Sequence, residues 1–197
     1  MKKEKSDIRT RFTKKMIQES LVELMVTKPI LNIKVQEICN RAGVSRSTFY
    51  TYYNDQYDLL KQIEEQTFIG LENIAENYRK EFKKKGNIKI SSIDIEEVMQ
   101  GFLKYIAENN DSIQVLLSEN GDYMFQKHFF HYNIANLREY REASGKSVID
   151  DETLNCYSLF MVGGFLALIQ DWLKNGMKIP LQKMAKIMAG MMLWMLK

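Results

Sequence analysis

The side chains best suited to chemistry are crowded into the stretch RSTFYTYY, residues 46–53. It holds one arginine, three hydroxyl residues (Ser47, Thr48 and Thr51), one phenylalanine and three tyrosines. Hydroxyl and guanidinium groups bond phosphate oxygens, and an arginine can take O6 and N7 of one guanine together. The chemistry that these types indicate is therefore hydrogen bonding to a nucleic acid.

A helical wheel divides this stretch into two faces. At roughly 100° per residue, Phe49 and Tyr53 share one face, on which they would anchor the helix to a core. Ser47, Thr48 and Thr51 lie on the opposite face, and Tyr50 and Tyr52 flank it. Arg46 stands at the N-terminal edge. Alternatively, the stretch is a solvated amphipathic helix with tyrosines at its edges.

The elements before this stretch complete a helix-turn-helix pattern. Apolar residues recur at helical spacing over about residues 6–27 and again over about 34–42. Gly43 is placed to end the second helix, and Ser45 to cap a third that runs to about Tyr53. In such a unit the last helix enters the major groove.

The remaining chain also shows helical spacing, with a long fourth helix from about 55 and further helices over about 94–109, 111–118, 121–143, 151–175 and 181–197. The sequence therefore predicts an all-α fold of about nine helices, with a boundary between residues 1–54 and 55–197.

Charge and composition limit the partners. Residues 1–61 hold 12 Lys and Arg against 7 Asp and Glu, a net charge of +5. This positive charge favours binding to a polyanion. Two distant cysteines indicate reduced thiols in a cytoplasmic protein. The longest apolar run, 159–169, is far shorter than the about 20 residues of a membrane span. Neither a nucleophile-base arrangement nor a phosphate loop is recognisable, so we do not expect an enzyme or a cofactor.

The segment VQEICNRAGVSRSTFYTYYNDQYDLL, residues 35–60, resembles the DNA-binding region of the TetR (tetracycline-repressor) family. The matching pattern includes Ala-Gly-Val-Ser at 42–45, Thr-Phe-Tyr at 48–50 and Asp-Leu-Leu at 58–60, and the preceding helix extends the match to about 8–65. The resemblance implies an N-terminal three-helix DNA-binding domain, a larger helical domain for ligand binding and dimerisation, and a two-fold homodimer.

Matching positions imply base or phosphate contacts from Arg46, Ser47, Thr48, Tyr50, Thr51 and Tyr52. Two positions depart from the family pattern. Lys34 stands where a capping Ser or Thr is usual, although it could touch the DNA backbone. Gln56 stands near a usual lysine, so it could donate a bond without a charge.

Two C-terminal helices are apolar on more than one side, which predicts that one side needs a partner. The predicted dimer interface comprises Leu154, Met161, Phe165, Leu168, Trp172, Met184, Met188, Met191 and Met195. Burial in a monomer is the alternative. The Gly163-Gly164 to Gly176 ending is similar to a C-terminal region of Gram-positive members, some of them tied to dihydroxyacetone-kinase operons.

Aromatic and methionine side chains of the middle helices predict a pocket for a planar or lipophilic effector. Its candidate residues are Phe68, Tyr78, Phe102, Tyr105, Met124, Phe125, His128 and His131, with plain core packing as the alternative. His128 and His131 have helical metal-ligand spacing, but no third ligand joins them, and we predict no metal site.

The sequence as a whole predicts a DNA-binding transcriptional regulator, a repressor released from a palindromic operator by a small-molecule effector. The alternative is a regulator of the same fold whose helical domain responds to a partner protein.

Overall fold

The computed structural model of the chain describes residues 2–85, 91–143 and 150–195. These ranges form nine α-helices and no strand, as the sequence predicts. The helices are α1 (Lys2–Met25), α2 (Val35–Ala42), α3 (Arg46–Tyr50), α4 (Gln56–Lys85), α5 (Ser92–Glu108), α6 (Asn110–Leu116), α7 (Tyr123–Ala143), α8 (Asp151–Lys174) and α9 (Leu181–Met195). A single 3₁₀ turn, Ile30–Asn32, lies between α1 and α2.

The chain forms two compact units, and α4 contributes to both. Unit 1 comprises the residues up to Thr67 together with Asp111–Tyr123, and unit 2 comprises Phe68–Asn110 and the residues from Met124 onward. The division therefore falls inside α4 rather than at residue 54. The reason is that the first turns of α4 still bury Leu59, Leu60 and Ile63.

Unit 1 is built around the helix-turn-helix. Its core side chains come from α1, α2, α3, α4 and the turn between α3 and α4, and include Ile17, Leu21, Met25, Ile38, Phe49, Tyr53 and Leu59. Gly43 ends α2 in the left-handed conformation (φ 65°), which a glycine adopts without a Cβ penalty. Asn120, from the second segment of the unit, donates a side-chain hydrogen bond to the Val26 carbonyl at 3.3 Å.

Unit 2 packs α5 and α8 against α9. Ile95, Met161, Ala189 and Met192 form a buried cluster, and Met99, Phe165 and Leu193 pack around it. Ser91 and Asp94 form a reciprocal capping box at the start of α5, and Asp150 caps α8 by accepting from the Thr153 amide at 2.8 Å. These caps fix where the two helices begin.

Candidate nucleic-acid interface and apolar cavity

The third helix is held by the inward pair that the wheel predicts. Phe49 and Tyr53 are buried, and their ring centroids lie 5.5 Å apart. The helix itself is shorter than predicted, since regular α-helix ends at Tyr50. However, the amide of Tyr53 still bonds the Phe49 carbonyl at 3.0 Å. The helical register therefore continues through Tyr53, and the predicted inward face is confirmed.

The opposite face presents a connected group of hydroxyls. Ser45 caps α3 by accepting from the Thr48 amide at 3.1 Å, and its Oγ lies 2.8 Å from both Ser47 Oγ and Thr48 Oγ1. A hydroxyl has one hydrogen and two lone pairs. The two hydrogen bonds among these three hydroxyls use two of their three hydrogens. One hydrogen therefore remains to be donated to an outside acceptor. Phosphate oxygens are acceptors, so this arrangement suits a nucleic-acid backbone.

Tyr50 and Tyr52 flank these hydroxyls, and each ring lies close to a cation. The Arg46 guanidinium carbon lies 5.9 Å from the Tyr50 ring centroid, and the Lys14 ammonium 5.5 Å from that of Tyr52. Distances within about 6 Å favour cation–π attraction. Sequence reasoning missed Lys14 because it lies on α1, and only its basic surroundings could have drawn attention to it.

Lys34 has no side-chain oxygen with which to cap α2, but Glu37 supplies the reciprocal bond of a capping box, to the amide of Lys34 itself. The Lys34 amide donates to Glu37 Oε2 at 2.9 Å, while Lys28 Nζ lies 2.5 Å from Glu37 Oε1. The bond from Lys28 is the main reason that the pKa of Glu37 lies below its usual range. The Lys34 side chain is exposed on the same unit as α3.

Gln56 is the first residue of α4 and is half-buried. Asp55 caps this helix by accepting from the amides of Tyr57 and Asp58 at 2.9 and 2.8 Å. The Asp58 carboxylate in turn accepts from the Asn54 amide at 2.8 Å. The start of α4 is therefore fixed by side-chain capping, which holds Gln56 in a defined position.

Unit 2 contains a cavity of about 140 Å³ whose lining side chains are all apolar. The lining side chains are Leu71, Val98, Met99, Phe102, Ile106, Phe129, Met161, Val162, Phe165, Leu166, Ile169, Met188 and Met192. An apolar cavity of about 150 Å³ stays dry and can take a molecule of the size of benzene. Methionines adapt their shape readily, so the cavity can adjust to a guest.

Of the eight side chains predicted to form an effector pocket, Phe102 lines this cavity. Phe68 and Phe125 instead pack on each other with ring centroids 5.0 Å apart. Tyr105 fills the space beside Gly70, where an added Cβ would meet its ring. The Tyr78 hydroxyl donates to the Glu97 carbonyl at 2.7 Å and belongs to a separate surface groove.

Met124, His128 and His131 share a face of α7, as predicted, but that face is exposed. Among the described α7 side chains, Phe125, Phe129 and Ile134 turn inward. The two histidines therefore do not point into the cavity. Among the described residues no group of three or more His, Cys, Asp or Glu could hold a metal ion.

Much of the predicted dimer interface is core. Met161, Trp172, Met184 and Met188 are buried within unit 2, so they present no surface to a partner. Leu154, Phe165 and Leu168 are half-buried. Met191 is 46% exposed, and the side chain of Met195 lies outside the described residues.

The exposed side of α8 carries a different apolar stripe. Phe160 is 73% exposed, and Tyr157, Gly164 and Ala167 lie on the same side. A Cβ at Gly164 would meet nothing within 4 Å, so packing within the chain does not require glycine there. Large apolar patches mark interaction surfaces.

By length and composition alone, the same helix is long and apolar enough to cross a membrane. Within the described residues, an 18-residue window of the segment Glu152–Lys174 has a mean hydropathy of 1.4. Its inner face packs Ile169 and Trp172 in unit 2, which accounts for part of that apolar content.

An all-helical fold with an exposed reading helix behind a glycine turn defines a class of DNA-binding transcription regulators. The chain matches two family descriptions: bacterial regulatory proteins, tetR family, over residues 17–63, and transcriptional regulator C-terminal region over 94–193. This chain belongs to the TetR family. It is a DNA-binding regulator of transcription and not an enzyme.

Known proteins share this fold and part of the sequence. The dhaKLM operon transcriptional activator DhaS of Lactococcus lactis subsp. lactis (strain IL1403) is 35% identical over 66 residues, which cover 34% of this chain and 35% of DhaS. A TetR transcriptional regulator from Streptococcus agalactiae 2603V has a TM-score of 0.60 and 24% identity, over 95% of this chain and 97% of that one. The regulator FadR of Bacillus subtilis, solved with stearoyl-CoA, has a TM-score of 0.61 and 17% identity, over 90% and 96%.

Proposed function

We propose that this chain is a homodimeric repressor that binds a palindromic operator through α3 and leaves it when a small apolar effector enters the cavity of unit 2. The observation that carries the proposal is the hydroxyl surface of α3, exposed beside two cation–aromatic pairs and fixed by the buried Phe49. Since its target would be bacterial chromosomal DNA, the proposed place of action is the cytoplasm.

Selection of duplexes from a random pool tests the DNA-reading part. A homodimer should enrich a two-fold symmetric sequence with half-sites about 10 base pairs apart. Its affinity for the duplex should fall steeply as the salt concentration rises. A plot of the logarithm of the association constant against the logarithm of the salt concentration should have a slope of about −0.9 per phosphate neutralised. Enrichment of no sequence, together with a flat slope, would refute the proposal.

Tyr50→Phe tests the proposed phosphate contact of α3. Tyr50 is exposed, so removal of its hydroxyl should leave the unfolding transition unchanged. Loss of one hydrogen bond to a charged group should weaken operator binding by about 1.5–3 kcal/mol. Operator affinity equal to that of the parent would exclude this contact.

The proposed homodimer forms through the exposed stripe of α8 together with Met191 on α9. The absence of a Cβ at Gly164 would let the helix of a second copy approach closely. Phe160→Glu should convert a dimer to a monomer in sedimentation equilibrium, because it places a charge in an apolar contact. Ile93→Glu is the matched control, since Ile93 is 68% exposed on α5 and should not change the assembly. A dimer that survives Phe160→Glu would locate the interface elsewhere.

The proposed effector is a small apolar molecule, or the apolar part of a larger one. Support comes from the lining, in which no polar side chain faces the cavity. Stearoyl-CoA bound to FadR of B. subtilis is a precedent for a ligand with an apolar chain in this fold. Leu166→Phe should fill part of the cavity and make DNA binding insensitive to an effector that releases the parent from DNA. Met124→Phe, on the exposed face of α7, should leave that response unchanged.

A regulator that answers a partner protein is the second candidate. The packing of Phe68, Phe125, Phe129 and Tyr132 favours it, because their ring centroids lie only 5.0–6.3 Å apart around a filled core. If Leu166→Phe leaves regulation intact in cells, the cavity plays no part and this candidate is preferred.

A further inference from the structure

Lys14 brings a positive charge from α1 to the edge of the reading surface. Its ammonium lies 5.5 Å from the centroid of the Tyr52 ring. The side chain is half-buried, so its stem is packed while the charged end lies at the ring. A lysine held in this way can still donate its hydrogens to an acceptor beyond the ring.

Four other cations of unit 1 are already engaged with carboxylates, whereas Arg9, Arg11, Lys34 and Arg46 form no such ion pair among the described side chains. The ion pairs of unit 1 join Lys15 with Glu19, Lys28 with Glu37, Arg41 with Glu23, and Lys61 with Glu65. Within the described side chains, no carboxylate forms such a pair with Lys14. Its charge is therefore less neutralised than the charges of the paired cations and contributes more to the field that attracts a polyanion.

The position of Lys14 complements that of Arg46. Tyr50 and Tyr52 lie on opposite flanks of the α3 hydroxyls, and Arg46 lies over the first ring. Lys14 lies over the second, so a cation–aromatic pair borders each side of the surface. A duplex whose groove receives α3 would carry its two phosphate backbones along these two flanks.

We propose that Lys14 is a DNA-phosphate contact, held by the ring of Tyr52, and that α1 therefore forms part of the DNA interface. This inference rests on the DNA-reading surface proposed above. The contact is to the backbone, so it contributes affinity and orientation and does not read bases.

The salt dependence of binding tests this role. Fluorescence anisotropy would follow binding to a labelled mixed-sequence duplex of about 30 base pairs, between about 50 and 200 mM NaCl. Lys14→Gln and Lys14→Met should each make the log–log slope shallower by about 0.9 per bound chain, because one phosphate contact is lost. Lys14→Arg should retain the parent slope.

Lys15→Gln is the matched control. Lys15 is the next residue of α1, carries the same charge and lies 3.5 Å from Glu19, so its loss should leave the slope unchanged. If Lys14 only supports Tyr52 structurally, neutral variants would lose affinity equally at every salt concentration and keep the parent slope. That result would overturn the inference. A parent protein that binds no duplex would refute the DNA-reading surface itself, which is a distinct failure.

Discussion

Glu64 on α4 has a carboxyl oxygen, Oε1, that is buried and accepts no hydrogen bond within the described residues. Burial is the main reason that its pKa rises to about 7, and the nearby charges of Asp122 and Glu65 add to the shift. All three residues belong to unit 1. The carboxyl group is therefore mostly protonated in the folded protein below about pH 7.

The sign of the pH dependence follows from this shift. A glutamate in the unfolded chain loses its proton near 4.5, whereas the folded protein holds the proton of Glu64 to about 7. Between these values the native state binds more protons, so stability falls as pH rises through this window and stays low above it. A shift of this size corresponds to at most about 3 kcal/mol, and partial exposure reduces it to about 1–2 kcal/mol.

Glu64→Gln removes the titration while keeping the shape of the side chain. We expect the variant to be more stable than the parent by about 1–2 kcal/mol at pH near 8 and nearly equal to it near pH 5. Urea unfolding followed by circular dichroism at both pH values measures the difference. Glu119→Gln is the control, because Glu119 is an exposed glutamate of the same unit that does not contribute to the shift of Glu64, and it should change stability by less than about 0.5 kcal/mol at either pH. A Glu64→Gln effect of the same size at both pH values would refute the reasoning.

Three further substitutions test the framework of unit 1 through urea unfolding. Phe49→Ala should cost about 3–5 kcal/mol and abolish DNA binding, because it empties the anchor of α3. Gly121→Ala should cost about 1–3 kcal/mol, since its Cβ would lie 2.8 Å from the backbone oxygen of Val115. The charged carboxylate of Glu37 stabilises the parent above about pH 4.5, and this contribution is lost as pH falls, because the pKa of Glu37 is lowered in the fold. Glu37→Gln lacks this contribution, so its stability should fall less than that of the parent on acidification. An acid response unchanged in that variant would assign the loss to other groups.

Helical periodicity is a local property, and the sequence alone predicted whatever depends on it. The positions of the helices, the end of α2 at Gly43 and the cap at Ser45 follow from residue types within a few positions of each other. The inward direction of Phe49 and Tyr53 follows as well, because the opposite face of α3 holds only small polar side chains. The family resemblance added the DNA-binding function, which the family matches support.

When two faces of a helix are similarly apolar, the face that is buried is the one that other helices cover. The spacing of residues along the sequence does not contain that information. Met124, His128 and His131 were correctly placed on one face, but Phe125 and Phe129 supply the more apolar face that unit 2 covers. On α8 both faces are apolar, so periodicity could not choose between Met161 and Phe160 as the exposed side. The approach of Lys14 to Tyr52 joins residues 38 positions apart, and only the packing of α1 in unit 1 brings them together. The same holds for Glu64 and Asp122, whose proximity required residues 111–123 to join the first unit.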